Sequence, residues 1–400
     1  MTRRPAVLFH CQHSLGLGHL VRALALAGAL SERFRVVLLS GGRMPAGLAA
    51  PAGVELIALP PLGMRTDGVL VSRDGRRTVE RALALRERLI REAHAAVRPD
   101  VVVVELFPFG RRKFAGELLP LLKAAREAGA LVACSLRDIL VRGRAEQAKH
   151  DERACALANE WLDAILVHAD PRFARLEESF RPRARLRVPV HYTGFVVPDR
   201  DAPAARRRRG RVQRIVVSAG GGAYGEDLLT AAVEAHRRWL AGDGMAMSVV
   251  AGPFLAEPAW RALRAAARGR PGLEVRRQVP DLYAELAVAA GSVSQCGYNT
   301  ALDLLRAGVP ALVVPFAEAG EDEQLRRAER LARMGAVRVL PAEHLDPPRL
   351  AAEVRELLGF RPQPVDLDFD GARRSAALLA ELARNRSVAM PHDSREEAAT

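Results

Sequence analysis

The sequence predicts an α/β protein built from two doubly wound domains that face each other across a cleft. Apolar, strand-like runs alternate with helix-period segments from one end of the chain to the other, the pattern of parallel sheets assembled from βαβ units. The alternation breaks once, at PDRDAPAARRRRGR (residues 198–211), and then restarts. A glycine-rich turn follows the first strand of each half, where an open parallel sheet binds its ligands.

In the first half the strands are read at residues 6–10, 35–39, 55–59, 101–105, 131–135 and 164–167. The helices between them, at 19–33, 76–97, 114–128 and 144–161, carry apolar residues at three- and four-residue spacing, as a helix lying on a sheet requires. The second half has strands at 215–218, 248–251, 274–278, 293–295 and 311–315 and helices near 226–240, 258–268, 300–307, 323–334 and 348–358. The expected organisation is a first domain at 1–197, a linker at 198–212 and a second domain at 213–360. A closing segment with a last helix follows at 361–386, and a polar tail at 387–400 is expected to be disordered.

With 49% hydrophobic and 27% charged residues in 400, the chain has the composition of a globular protein with two or three domains. No apolar run approaches the ~20 residues needed to span a bilayer, and the charged start at Arg3 and Arg4 is not followed by an apolar stretch and cleavage site. A cytoplasmic location is expected. Cys11, Cys134, Cys155 and Cys296 lie far apart with no CxxC pair, which argues against a disulfide framework or a zinc site and for buried free thiols. The net charge of +13 invites a nucleic-acid partner. Yet nearly every cation is Arg beside abundant Ala, and no nucleic-acid signature is present, so nucleic acid is not expected and an anionic membrane surface or a phosphorylated substrate fits better.

Four strand-to-helix turns carry the chemistry. HSLGLGH (13–19) places Gly16 and Gly18 in a tight turn and His19 at a helix start, where an imidazole can serve as general base toward a hydroxyl or simply cap the helix. SAGGGAYG (218–225) exposes amides at Gly220, Gly221 and Gly222 that can wrap a diphosphate. SQCGYNTALD (294–303) offers Gly297, Asn299 and Thr300 at a helix start, the latter two expected to cap it, and Asp303 one turn on, suited to ribose hydroxyls. In PFAEAGEDEQ (315–324) the acids favour a helix N-terminus by its dipole, and Gln324 has the donor and acceptor that a sugar hydroxyl needs.

Taken together, the four turns resemble the MurG-like glycosyltransferases of the GT-B superfamily, most specifically in QCGYNTALDLLRAGVPALVVPF with EDEQLRRAERLARMGAV, and at the N-terminus in HSLGLGHLVRALALAGAL. The resemblance implies two Rossmann-like domains and transfer of a sugar from a nucleotide-diphosphate sugar, in the family's habit UDP-linked, to an acceptor hydroxyl. It implies inversion at the anomeric carbon, no tightly bound metal and no cofactor beyond the nucleotide sugar as co-substrate. Gly16, Gly18 and His19 would then line the cleft; Gly220, Gly221 and Gly222 would hold the diphosphate. Asp303 stands where the family has a ribose-binding Glu, and Gln324 where it has a Gln that contacts the donor sugar.

The acceptor half departs most from the family. LFPFGRRKF (106–114) alternates aromatic and cationic residues, so Phe107 and Arg111 are candidate contacts for an anionic acceptor or a membrane, with a solvated basic turn as the alternative. Glu105 is a second candidate base. Arg137 and Asp138 are expected to pair with each other, or to position an acceptor hydroxyl. The acceptor itself, whether glycan, lipid-linked or small molecule, is left open. So are two alternatives: a nucleotide-sugar hydrolase on the same fold, and a non-catalytic sugar-nucleotide-binding protein.

Overall fold

The structure, a computed structural model, describes residues 3–13, 17–45, 47–65, 68–200, 214–221, 224–316 and 321–389. The first domain runs β1 (Ala6–Cys11), α1 (Gly18–Ser31), β2 (Arg35–Ser40), β3 (Val54–Ala58), a short antiparallel hairpin β4 (Leu62–Met64) and β5 (Leu70–Ser72), α2 (Val79–Val97), β6 (Val101–Glu105), α3 (Ala115–Glu127), β7 (Leu131–Arg137), α4 (Gln147–Trp161), β8 (Ala164–His168) and β9 (Val190–Tyr192). Its seven strands are all parallel in the order β3-β2-β1-β6-β7-β8-β9. The second domain follows with β10 (Arg214–Ser218), α5 (Glu226–Ala235), β11 (Ala246–Val250), α6 (Glu257–Ala267), β12 (Leu273–Arg276), α7 (Leu282–Ala287), β13 (Gly291–Ser294), α8 (Tyr298–Ala307), β14 (Ala311–Val313), α9 (Glu323–Arg333), β15 (Arg338–Val339) and α10 (Pro347–Leu357). Its six strands are parallel in the order β12-β11-β10-β13-β14-β15.

Strands such as AVLFHC and VVVVE are buried along their whole length because helices cover both faces of the sheet. One face of the first sheet packs on α1. The other packs on α2, α3 and α4 and continues without a break into the second domain through Phe195, Tyr298, Ala301 and Leu302. The last helix, α11 (Gly371–Ala389), crosses back: its Ala376 and Leu379 join Leu20, Ala23 and Leu24 of α1 in the core of the first domain.

Helix starts shift where local polar bonds compete. The helix expected from residue 76 begins at Val79, because Asp74 Oδ1 accepts from the amides of Arg76 and Arg77 and Thr78 caps the first turn. Strands of two or three residues, β4, β5, β9 and β15, carry too little periodicity to be read from sequence. Most of the expected linker, at 201–212, lies outside the described residues, as do 390–400 of the expected tail, and α11 runs past the expected boundary at 386. All four cysteines are free and buried.

Candidate active site at the domain junction

Each strand order reverses at one place, between β1 and β6 in the first sheet and between β10 and β13 in the second. Ligands of doubly wound sheets bind in the crevice outside such a reversal. The helices that start there, α1 and α8, have no acidic residue in their first turns and no side-chain cap. Their N-termini face each other closely: Asn299 Nδ2 donates to the carbonyl of Gly18 across 3.3 Å. Asn299 and Thr300 therefore do not cap α8 as expected. Gly297 takes the cap position, and having no side chain it offers the helix's first amides no acceptor. Gly220 adopts a left-handed φ of 59° and approaches Thr300, 3.7 Å from where a Cβ would stand. By contrast α5 carries Glu226 and Asp227 in its first turn and needs no external anion. Gly16 and Gly222 lie outside the described residues.

His19, in the first turn of α1, meets Glu105 at the end of β6, with Nδ1 2.8 Å from Oε1. Arg22, one turn further along α1, donates to the same Oε1 and stands 3.2 Å from His19 Nδ1. An imidazole nitrogen without a proton would confront the carboxylate lone pairs at that distance, so Nδ1 is assigned the proton and Nε2 is left as an acceptor. Burial, reinforced by the Arg111 charge, holds His19 well below the ordinary histidine range despite the Glu105 contact. The ring is neutral at physiological pH. Burial also pushes Glu105 up, but the Arg22 charge and the bonds from His19 and Ser135 outweigh it and keep the carboxyl ionised. Glu105 is only 1% exposed with both oxygens engaged, so it is not a base in its own right; it holds His19.

Arg137 and Asp138 do not pair with each other. Asp138 lies just past the end of β7, and each residue finds its partner on α9, where Glu323 and Arg327 stand one turn apart: Arg137 with Glu323 at 2.5 Å, Asp138 with Arg327 through two bonds of 2.8 Å. Arg327 also donates to the carbonyl of Cys296. Phe107 is a second correction: at 1% exposure it is part of the apolar core and does not face a ligand. Arg111 does stand at the junction, its Nε donating to the carbonyl of Gln12 at 2.8 Å; its terminal nitrogens have no hydrogen-bond partner among the described residues. Gln324 turns its Oε1 onto the amides of Cys296 and Phe316, leaving only its Nε2 for a ligand.

Asp303 is buried, and burial raises its carboxyl to about 6 against the opposing charges of Arg200 and Arg306. Between its ordinary value of 3.8 and about 6 the folded state holds a proton that the unfolded chain has lost, so stability falls as pH rises through that window. Asp303→Asn is expected to stabilise the protein by up to about 3 kcal/mol at pH 7.5, and by little at pH 3.5. Urea unfolding at the two pH values checks it.

Sequence reasoning missed Arg22 and Tyr298. Tyr298, from the second domain, donates to the carbonyl of His168, accepts from the amide of Val196 and lies under the Arg22 guanidinium at 5.0 Å. Arg22 sits three residues after His19, the helical spacing that shares a face, and that was the one available signal.

Two doubly wound parallel domains meeting at their strand reversals define the GT-B class of fold. Residues 221–373 match the family model of the Glycosyltransferase family 28 C-terminal domain. That match takes in the second domain and the start of α11 and does not extend to the first domain. The chain's similarity to the UDP-N-acetylglucosamine--N-acetylmuramyl-(pentapeptide) pyrophosphoryl-undecaprenol N-acetylglucosamine transferase of Methylococcus capsulatus is 33% identity over 113 residues, covering 24% of this chain and 32% of that relative. The chain thus matches about a third of that relative's length. Over nearly the whole chain the fold is similar to CalG4, the calicheamicin glycosyltransferase (TM-score 0.58, 18% identity, 99% of this chain and 98% of the other). It is also similar to MurG of Acinetobacter baumannii (TM-score 0.53, 16% identity, 95% and 99%). Among the described residues, no helix is long and apolar enough to cross a membrane, and no group of three or more His, Cys, Asp or Glu could hold a metal ion.

Proposed function

We propose that the chain is a glycosyltransferase that moves a sugar from a nucleotide-diphosphate sugar, UDP-linked by analogy with the relative above, to an acceptor hydroxyl. The observation that carries this reading is the meeting of a neutral imidazole, its Nε2 free to accept, with the uncapped N-terminus of α8. His19 Nε2 takes the proton of the acceptor hydroxyl, and the oxygen attacks the anomeric carbon. The bond from that carbon to the phosphate oxygen breaks, and its electron pair leaves on the diphosphate. A single displacement inverts the carbon. Arg22 already balances Glu105, so the imidazolium that forms has the departing diphosphate as its counter-charge. Helix amides at α8 and α1 and the glycine turn at Gly220, Gly221 and Gly222 receive that diphosphate and supply its positive field without a metal.

Asp303 accepts the ribose hydroxyls and Gln324 Nε2 meets the donor sugar. Arg111, whose terminal nitrogens have no hydrogen-bond partner among the described residues, faces an acceptor bearing an anionic group, and an anionic membrane surface of the cytoplasmic leaflet is the surface such an acceptor would occupy.

UDP, GDP, dTDP and CDP are to be compared by thermal shift, followed by mass analysis of the matching nucleotide sugars. One nucleotide at 100-fold over its Kd is expected to stabilise the protein by about 2.7 kcal/mol. Its sugar conjugate should stay intact until an acceptor is added. Steady release of free sugar without acceptor would instead establish the hydrolase, and no shift with any nucleotide would refute the reading.

A further inference from the structure

The C-terminal edges of β6, β7, β8 and β9 carry a buried polar row that the transfer reaction does not touch. Glu105 Oε2 lies 2.8 Å from Ser135 Oγ, Ser135 Oγ lies 2.9 Å from His168 Nε2, and His168 Nδ1 lies 3.0 Å from Thr193 Oγ1. Ser135 and His168 are wholly buried and Thr193 nearly so. The row begins beside His19 and ends three strands away.

Its protons can be counted. Glu105, ionised, only accepts, so Ser135 must donate its hydroxyl proton to Oε2. Ser135 then has only lone pairs to offer His168, so His168 Nε2 carries a proton. A buried His168, lowered to about 3 by its burial and by Arg22, is neutral, so its Nδ1 is bare and accepts from Thr193. Only this arrangement satisfies every contact in the row. The opposite one, with Thr193 donating to the carbonyl of Val167 at 3.5 Å and His168 Nδ1 donating to Thr193, would turn Ser135 toward His168 and leave two acceptors facing each other 2.8 Å apart at Glu105.

We propose that Ser135, His168 and Thr193 are positioning residues for His19: acting through Glu105, they fix which imidazole nitrogen carries the proton and where the other one aims. This rests on the base role given to His19 above. The second domain reaches the same row, since Tyr298 donates to the carbonyl of His168 and carries Arg22 on its ring. Contacts of this kind behind a reactive group cost nothing in the reaction step and remove orientations in which the group would be idle.

The test is long-range nitrogen NMR of histidine-labelled protein, with His19 and His168 assigned through His19→Gln and His168→Gln. At pH 7 His168 is expected as the neutral Nε2–H tautomer and His19 as the Nδ1–H tautomer. In Ser135→Ala, His19 is expected to lose its single tautomer, and turnover of the nucleotide sugar found by thermal shift to fall about ten-fold at unchanged KM; Ser135→Thr should restore both. If Ser135→Ala fails to fold, Thr193→Val, which keeps the side-chain shape and removes the donor, should move His168 off its pure tautomer. Finding His168 charged or as the Nδ1–H tautomer overturns the proposal, as does a His19 spectrum unchanged in a folded Ser135→Ala. These spectra need no substrate: a wild-type protein with the expected tautomers but no sugar transfer would refute the function proposed above and leave the row's role standing.

Discussion

His19→Gln is expected to lower turnover of the nucleotide sugar by about 10²- to 10⁴-fold, the usual contribution of a positioned general base. Nucleotide affinity should stay within about two-fold, because the diphosphate is received by backbone amides that the substitution leaves in place. Gln can still donate to Glu105, so the pair is not left with an unsatisfied buried carboxylate. Binding by calorimetry and turnover at saturating donor separate the two roles. A drop in affinity with little change in kcat would make His19 a phosphate contact instead. The pH profile gives an independent check. The base must be neutral to act and gains its proton as pH falls through its own pKa, which burial and Arg111 hold well below 6.5. Activity should therefore stay level from pH 8 down through 6.5, without the mid-range decline of an ordinary histidine.

Asp138→Ala is expected to destabilise the protein by about 3–5 kcal/mol, since it strands the fully buried Arg327 guanidinium. The double variant Asp138→Leu with Arg327→Leu should recover much of that loss, because an apolar pair of similar volume avoids burying either charge. Asp138 follows β7 and Arg327 lies on α9, so the pair joins the two domains. Tryptophan fluorescence separates them: Trp161 belongs to the first domain, Trp239 and Trp260 to the second. Single-tryptophan proteins should share one urea midpoint in the native background and split in Asp138→Ala. Coincident midpoints with a loss under 1 kcal/mol would show that the pair does not hold the domains together.

The outlines of both sheets were legible because a parallel sheet covered on both faces needs long apolar strands, and such runs stand out between amphipathic helices. The site turns were legible for a related reason: in a doubly wound fold, strand ends are where ligands go, so glycine turns after strands mark them before any contact is known. Pairings across the junction were not legible. Nothing local says that Asp138 meets Arg327, 189 positions away, or that Asn299 reaches Gly18 and leaves its own helix uncapped. Nor does anything local say that Arg137, at the end of β7, reaches Glu323 on α9 rather than its neighbour Asp138. Ser135, His168 and Thr193 sit on strand ends as the glycine turns do, but single polar residues at apolar strand ends carry no spacing signal, and only the three-dimensional register brings them into line.

The return of α11 to α1 sets an order of assembly. During synthesis the first domain emerges with its seven strands complete while one face of its sheet still lacks a helix that only residues 371–389 can provide. Until the ribosome has released that stretch, Leu24 of α1 and Leu131 and Ala133 of β7 are left with an incomplete cover, and the nascent first half must wait, collapsed but unsealed, for the second to be made. A chain stopped short of this helix is thus deprived of more than its end: it loses the closure of its beginning.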